Sequence, residues 1–142
     1  MERATVLQSV FPQDTNSQGN LFAGTLVGWM DRAAAYAAMR QARGTVVTAA
    51  MDEITFRTPI VKGDLVEIEA VVESIGRTSM RVKLDVWRER IEDGTRELCV
   101  VGHFTLVAVG RDGRPVGVPA LAAEPDTAAG DASAPPAGAA SA

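Results

Sequence analysis

The sequence predicts an α+β fold in which one antiparallel β-sheet wraps around one long central α-helix. The first observation is an apolar segment, Leu21–Ala42, which is long enough for about six helical turns. The second is that, after Gly44, apolar residues recur at every second position, which is the period of a β-strand. The third is that the segments with this period are joined by short connections such as "GRT" and "EDG", as antiparallel strands are.

A short strand and a polar loop are predicted before the helix. Ala4–Phe11, "ATVLQSVF", has the composition of a strand, and "PQDTNSQGN" crowds turn-forming residues together. We expect Asn20 to cap the helix and Gly44 to close it. A helix that is apolar nearly all round must be surrounded by other apolar groups, so the sheet is predicted to enclose it.

The strands predicted after the helix alternate apolar and polar residues, which is typical of antiparallel strands with one packed face. They are Thr45–Phe56, "DLVEIEAVVES", "SMRVKLDVWRE" and "RELCVVGHFTLVAV". The residues of the last strand that are predicted to share its packed face are Leu98, Val100, Phe104 and Leu106. Because one small sheet leaves part of the helix uncovered, we expect dimerisation to complete the fold.

Length and composition predict one domain followed by a tail. The 142 residues suffice for one domain. From 119 to 142 the chain is almost entirely Ala, Pro, Gly, Ser and acidic residues, which cannot bury enough apolar surface to offset the entropy of ordering. We therefore predict a globular domain over 1–118 and a flexible tail over 119–142.

Charge and cysteine content indicate the class of protein. A net charge of -4 does not suit a nucleic-acid binder, which needs an excess of clustered Lys and Arg. The single cysteine, Cys99, excludes an internal disulfide and fits a reducing compartment. The N-terminus does not have the pattern of a signal peptide, and Asp31 and Arg32 interrupt the longest apolar stretch, which argues against a membrane span. We expect a soluble cytoplasmic protein.

One carboxylate, Asp31, stands inside the apolar helix. It is the only acidic residue between Leu21 and Ala42. Its neighbours at helical spacing are mostly small, so another helix, a ligand or both can approach closely. These neighbours are Gly24, Val27, Gly28, Ala34, Ala35 and Ala38. Asp31 is therefore either a surface carboxylate paired with a base such as Arg32 or a functional group in a cleft.

The absence of several catalytic motifs restricts the kinds of reaction that the chain could catalyse. His103 and Cys99 lie four positions apart on one predicted strand, roughly 13 Å from each other, and cannot form a nucleophile–base pair. The chain has no G-x-S-x-G elbow and no Walker A or G-x-G-x-x-G motif. One His and one Cys do not make a metal cluster unless carboxylates supply the remaining ligands. Any catalysis must use carboxylates, amides, hydroxyls and backbone N–H groups.

The stretch "DTNSQGNLFAGTLVGWMD" resembles the D-T-N-x-x-G-x-x-F-G-G-x-x-x-x-x-M-D signature of hotdog-fold acyl-CoA thioesterases. This family includes bacterial short-chain acyl-CoA thioesterases and brain acyl-CoA hydrolase. The segments "VVT", "FRTPIVKGD", "GRTSM", "VW" and "FTLVAV" are similar to the family in order and spacing, so the resemblance covers nearly the whole predicted domain. It departs at Ala23–Gly24, where the family has paired glycines.

The resemblance implies that the chain hydrolyses acyl-CoA to a free acid and CoA without a Ser, Cys or His nucleophile and without a separate cofactor. It implies that Asp31 activates water as a general base or attacks the thioester directly, and that Asn16 orients the water. In the family the matching two residues meet across a dimer interface, and the dimers assemble in threes.

The resemblance also implies an oxyanion site and a CoA site. The N–H groups that would stabilise the thioester oxygen are at the start of the helix, at Phe22, Ala23 and Gly24. The residues that would bind the CoA phosphates are Arg57, Arg77, Thr78 and Ser79. A non-catalytic acyl-CoA sensor on the same fold is the main alternative. A hydratase or dehydratase is a third, which the position of His103 on a late strand disfavours.

Overall fold

The computed structural model describes residues Met1–Pro119 and contains one five-stranded antiparallel sheet and one long helix. The strands are β1 (Arg3–Ser9), β2 (Val46–Phe56), β3 (Leu65–Ile75), β4 (Ser79–Glu89) and β5 (Arg96–Ala108), and the helix is α1 (Ala23–Ala42). Their order across the sheet is β1-β3-β4-β5-β2, with every neighbouring pair antiparallel. The predicted α+β hotdog fold is confirmed. The predicted tail lies outside the described residues except for Pro119, so the tail and the domain boundary at 118 stay predictions.

The helix lies across one face of the sheet, which we call the inner face, and it contacts all five strands. The inner face is apolar because alternate residues of each strand point towards the helix. Gly102 of β5 makes room for the fully buried Met30, since a β-carbon at Gly102 would lie 3.0 Å from Met30 Cε. Among residues 1–119, no helix is long and apolar enough to cross a membrane.

The start of the helix differs from the prediction. The helix begins at Ala23 because Leu21 is held by the chain before β3, its N–H donating to the carbonyl oxygen of Ile60 at 2.7 Å. Phe22 is the extended residue at the N-cap and makes no side-chain cap hydrogen bond. The prediction that Asn20 caps the helix is therefore wrong.

The end of the helix also differs. Arg43, and not Gly44, takes the left-handed conformation with φ 55°, and its N–H donates to the carbonyl oxygen of Met39 at 2.7 Å. A left-handed residue with a side chain is uncommon, since glycine adopts this conformation at lower cost. The sequence pattern predicted that Gly44 would close the helix, which is one residue later than the observed position.

A β-bulge at Cys99 changes which residues of β5 face the helix. Val86 of β4 pairs with Val100, but the next residue, Trp87, pairs with Leu98, so Cys99 is the extra residue. Cys99 and Val100 are consecutive and both buried. Leu98 lies opposite Trp87 on the outer face, away from the helix. The prediction that Leu98 shares the packed face is wrong, because regular alternation does not account for an inserted residue.

The strand β2 is an edge of the sheet, with β5 as its one neighbour. Large apolar side chains are exposed along it, namely Val47, Met51 and Phe56. Tyr36 and Met39 of the helix are exposed as well. The β2 edge of the sheet therefore combines unpaired backbone groups with exposed apolar side chains, which is typical of a surface that binds another chain.

Candidate active site

A pocket opens beside the N-terminal end of α1, between the loop before the helix and the segment that follows β2. Three of the predicted site residues line it, namely Asn16, Ala23 and Arg57. The rest of the lining includes apolar side chains such as Phe56 and Ile60. The pocket therefore combines an amide, the start of a helix and a guanidinium with an apolar wall.

Asn16 is fixed in this pocket by its own loop. Its side-chain oxygen accepts the N–H groups of Gln18 at 2.9 Å and Asn20 at 3.2 Å. Its backbone N–H donates to the carbonyl oxygen of Asn20 at 2.8 Å. Because the side-chain oxygen is committed, the amide nitrogen is the end of Asn16 that can donate to a bound molecule.

The predicted set of free N–H groups at the helix start needs one correction. The N–H of Phe22 donates to the carbonyl oxygen of Asp14 at 3.0 Å, so it is not free to bind an oxygen of a ligand. Ala23 and Gly24 are the first two residues of the helix, and both are exposed. The first N–H groups of a helix have no partner within it, so the N–H groups of Ala23 and Gly24 keep the predicted capacity to donate to an oxygen of a ligand.

Asp31 lies two turns further along the helix. It is half-buried, and its Oδ1 accepts the hydroxyl of Thr48 at 2.5 Å. Asp31 lies eight positions after Ala23, which is about 12 Å along the helix axis, and Asp31 does not line the pocket. The described chain therefore does not bring Asp31 and Asn16 into one pocket.

Sequence reasoning missed Thr48 as a site residue. It lies on β2 and is half-buried, and its hydroxyl leaves Asp31 Oδ2 as the free carboxylate oxygen. The signal was present, since Thr48 is the hydroxyl residue of the "VVT" segment that carries part of the family resemblance. A hydrogen bond between residues 17 positions apart could not be read from the sequence without the strand order.

The predicted CoA-binding residues fall at opposite ends of the sheet. Arg77 and Thr78 lie in the turn between β3 and β4, and Ser79, the first residue of β4, pairs with Val107 of β5. Arg57 follows Phe56, which pairs with Val100. The seven positions of β5 between these pairings correspond to roughly 23 Å. One chain therefore does not bring Arg57 together with the other three residues.

The site residues thus form two groups. The pocket half, at one end of the sheet, consists of Asn16, Ala23, Gly24 and Arg57. The acid half consists of Asp31, Thr48, Arg77, Thr78 and Ser79. Thr48 pairs with Leu106, and Leu106 also pairs with Met80 next to the β3–β4 turn, so the members of the acid half share the other end.

Within residues 1–119, the titratable side chains outside these two halves form no second reactive centre. His103 lies on the outer face, with Nδ1 3.2 Å from Glu53 and Nε2 3.6 Å from Glu73. Burial raises the pKa of the Cys99 thiol, which favours its neutral form. In the part of the chain that the structure describes, no three His, Cys, Asp or Glu side chains converge to hold a metal ion.

Comparison with known proteins gives a consistent picture. The family model described as "Thioesterase superfamily" matches residues 18–95. An uncharacterized acyl-CoA thioester hydrolase of Zymomonas mobilis is 39% identical over 110 residues, which are 78% of this chain and 74% of that protein.

Two solved structures are similar over most of the chain. The acyl-CoA hydrolase of Staphylococcus aureus, in complex with butyryl coenzyme A, coenzyme A and coenzyme A disulfide, is 35% identical with a TM-score of 0.79, covering 82% of this chain and 71% of that one. An apo-hexameric acyl-CoA thioesterase is 38% identical with a TM-score of 0.80, covering 82% of this chain and 75% of that one.

Three further structures of the Staphylococcus aureus hydrolase each have one residue replaced by alanine, namely an asparagine, an aspartate and a threonine. In that protein the aspartate follows the asparagine by 15 positions and the threonine follows the aspartate by 17. Asn16, Asp31 and Thr48 have the same spacing. The three residue types thus stand at matching intervals in the two chains.

Proposed function

This chain belongs to the thioesterase superfamily, and from that premise we propose that it hydrolyses acyl-CoA to a free carboxylic acid and CoA at a site shared between two copies of the chain. The relatives named above are acyl-CoA thioester hydrolases at 35–39% identity. The observation that carries the shared site is that Asn16 and Asp31 lie in different halves of one chain, although their spacing matches two residues replaced in the Staphylococcus aureus enzyme.

The open edge of β2 supports a dimer in which the pocket half of one subunit meets the acid half of the other. In a two-fold dimer each chain uses the same surface, so β2 would pair with its own copy in antiparallel orientation. The Phe56 end of one strand then lies beside the Val46 end of the other. The pocket half of one subunit would thereby meet the acid half of its partner, and two equivalent sites would form per dimer.

Burial of apolar surface supports the same dimer. The exposed Val47, Met51 and Phe56 of β2 would be covered by the second copy. Removal of apolar surface from water is worth roughly 25 cal/mol per Å². We further propose that three such dimers form a hexamer, as the hexameric state of the similar thioesterase suggests.

The proposed chemistry assigns each half a role. In the acid half, the free Oδ2 of Asp31 would take a proton from water, or would attack the thioester carbon directly, while Thr48 holds Oδ1. In the pocket half, the amide nitrogen of Asn16 would orient the water. The N–H groups of Ala23 and Gly24 would stabilise the negative charge that develops on the thioester oxygen. In the general-base route the water oxygen adds to the carbonyl carbon, the C–S bond breaks, and the CoA thiolate leaves and takes the proton that Asp31 removed from water. In the direct route Asp31 Oδ2 forms a mixed anhydride as the CoA thiolate leaves, and water then hydrolyses the anhydride to the free acid and regenerates the carboxylate, its proton passing to the CoA sulfur.

CoA recognition also fits a shared site. The phosphates of CoA are anionic, and the chain offers Arg57 in the pocket half and Arg77, Thr78 and Ser79 in the acid half. A guanidinium binds phosphate oxygens with two parallel hydrogen bonds, and hydroxyl groups donate further ones. A ligand as long as CoA can reach residues from both subunits. No separate cofactor is proposed, because CoA is part of the substrate and the product.

The experiment that tests this function measures thiol release from a panel of acyl-CoA substrates. Asp31→Asn keeps the shape of the side chain and removes its charge, so hydrolysis should fall by about two to four powers of ten. Binding of CoA should remain, since the phosphates are held by other residues. Asp85→Asn, which removes a carboxylate on the outer face of β4, is the matched control and should leave hydrolysis unchanged. Undiminished turnover in Asp31→Asn would refute the assigned role, and CoA binding without turnover in the natural chain would favour the sensor.

A further inference from the structure

Two charged residues occupy the packed face of the sheet near the pocket. Met80, Val82, Leu84 and Val86 of β4 face the helix and are fully buried, and Arg88 is the next residue in the same phase. Glu97 of β5 lies directly opposite Arg88. The side chain of Arg88 is only 13% exposed and that of Glu97 is 43% exposed. Because a charge on a packed face is costly unless it is paired, these residues call for an explanation.

Their hydrogen bonds converge on the segment that follows β2. Arg88 donates through Nη2 to Glu97 Oε1 at 2.8 Å and through Nη1 to the carbonyl oxygen of Pro59 at 2.8 Å. The other oxygen of Glu97 accepts the hydroxyl of Thr58 at 2.9 Å. Thr58 and Pro59 come directly after Arg57. We call this set, Arg88, Glu97 and the Thr58 hydroxyl, the clamp.

The clamped segment connects Arg57 to the loop of Asn16. The backbone N–H of Arg57 is already fixed, since it donates to the carbonyl oxygen of Cys99 at 2.8 Å. Two residues after Thr58, the carbonyl oxygen of Ile60 accepts the N–H of Leu21 at 2.7 Å. The clamp therefore lies between two anchors and sets the conformation of the wall that faces Asn16.

We propose that Arg88 and Glu97 are positioning residues, which act through Thr58 and Pro59 to hold Arg57 in the orientation that binds the phosphates of CoA. This inference rests on the proposed function. Neither residue lines the pocket, so neither is expected to touch the substrate. Without the clamp, Arg57 would lose its fixed position, whereas the acid half, at the other end of the sheet, would be unchanged. The consequence is a higher KM for acyl-CoA and a weaker affinity for CoA, with kcat preserved.

The test begins with the mildest change to the clamp. Thr58→Val removes one hydroxyl at nearly constant volume, and Glu97→Gln keeps the shape of the side chain and removes its charge. Each should raise KM and the Kd for CoA about fivefold, as expected for the loss of one hydrogen bond, with kcat within about twofold of the natural enzyme. Arg88→Lys keeps the charge but not the planar fork, so it should raise KM as well.

A double-mutant cycle with Arg57→Ala decides whether the clamp acts through Arg57. If it does, Glu97→Gln should raise KM in the natural chain and have almost no further effect when Arg57 is already alanine. Arg96→Met is the matched control, because it breaks the ion pair with Glu67 on the outer face of the same sheet and should leave KM unchanged.

Three results would overturn the proposal. They are an unchanged KM in Glu97→Gln, an equal rise of KM with and without the Arg57 side chain, and a fall of kcat with KM constant. The failure of the proposed function is distinguishable from these results. In that case the natural chain itself would neither bind CoA in calorimetry nor release thiol from any acyl-CoA, before any variant is made.

Discussion

Two inactive variants of a shared active site should restore activity when their subunits are exchanged. Asp31→Asn disables the acid half and leaves the pocket half intact, and Asn16→Ala does the reverse. Each variant alone carries a defect in every site, with the larger loss in Asp31→Asn because it removes the reacting group. In a mixed dimer, one of the two sites combines the natural Asp31 of one subunit with the natural Asn16 of the other.

The size of the recovery follows from the two-fold arrangement. Random exchange of equal amounts gives about half mixed dimers, and each mixed dimer has one intact site out of two. The mixture should therefore reach about a quarter of the natural activity per subunit. If the two residues instead acted within one chain, no dimer would contain an intact site and the mixture would show only the average of its parents.

The assay is thiol release before and after the two variants are denatured and refolded together. The formation of mixed dimers is verified by giving one variant an affinity tag and capturing the other with it. Natural chain that is unfolded and refolded in the same way gives the yield of active protein. Captured mixed dimers that show no recovery would refute the shared site, because every condition for forming an intact site would then be satisfied.

Thr48→Val should lower kcat by about tenfold, because it removes a hydrogen bond to a carboxylate, and Thr48→Ser should restore most of the activity in the same thiol-release assay. Gly102→Ala should lower the free energy of unfolding by about 1–3 kcal/mol, since the added methyl would crowd Met30; urea titration should show a smaller cost in a Met30→Ala background, and an equal cost would contradict the contact. Cys99 should not react with a thiol reagent at neutral pH, because burial raises its pKa and thiolate would form only at higher pH than in an exposed cysteine; urea should make it reactive, and rapid labelling of the folded protein would contradict the buried position.

The sequence was sufficient to predict the fold because its periodicities are uninterrupted over long segments. The apolar segment that includes Met30 and Ala37 could form only a buried helix, and the alternation from Val66 to Val72 could form only a half-buried strand. Both predictions depend on residues close to one another in the chain. The bulge at Cys99 was not predicted, because one inserted residue changes the face of the sheet to which the side chains point without changing the composition of the segment.

The candidate site was predictable as a set of residues but not as an arrangement. Asp31 stood out because it is the one acid in its helix, and Arg57 and Arg77 were predicted because they lie in segments that resemble the family. Their separation depends on the strand order, which places β5 between β4 and β2. The hydrogen bond that ties up Phe22 and the one from Thr48 to Asp31 are tertiary contacts, so no local pattern could show them.

The bulge at Cys99 reverses the alternation of β5, so that different sets of residues face the helix on its two sides. On the Val100 side of the bulge the even-numbered residues face the helix, and on the Glu97 side the odd-numbered residues do. A regular strand would place Leu98 opposite Arg88 and turn Glu97 to the outer face, leaving the guanidinium on the packed face without a carboxylate. Because of this one inserted residue, β5 packs apolar side chains against the helix on the Val100 side of the bulge. On the other side, Glu97 makes polar contacts that hold the segment after Arg57.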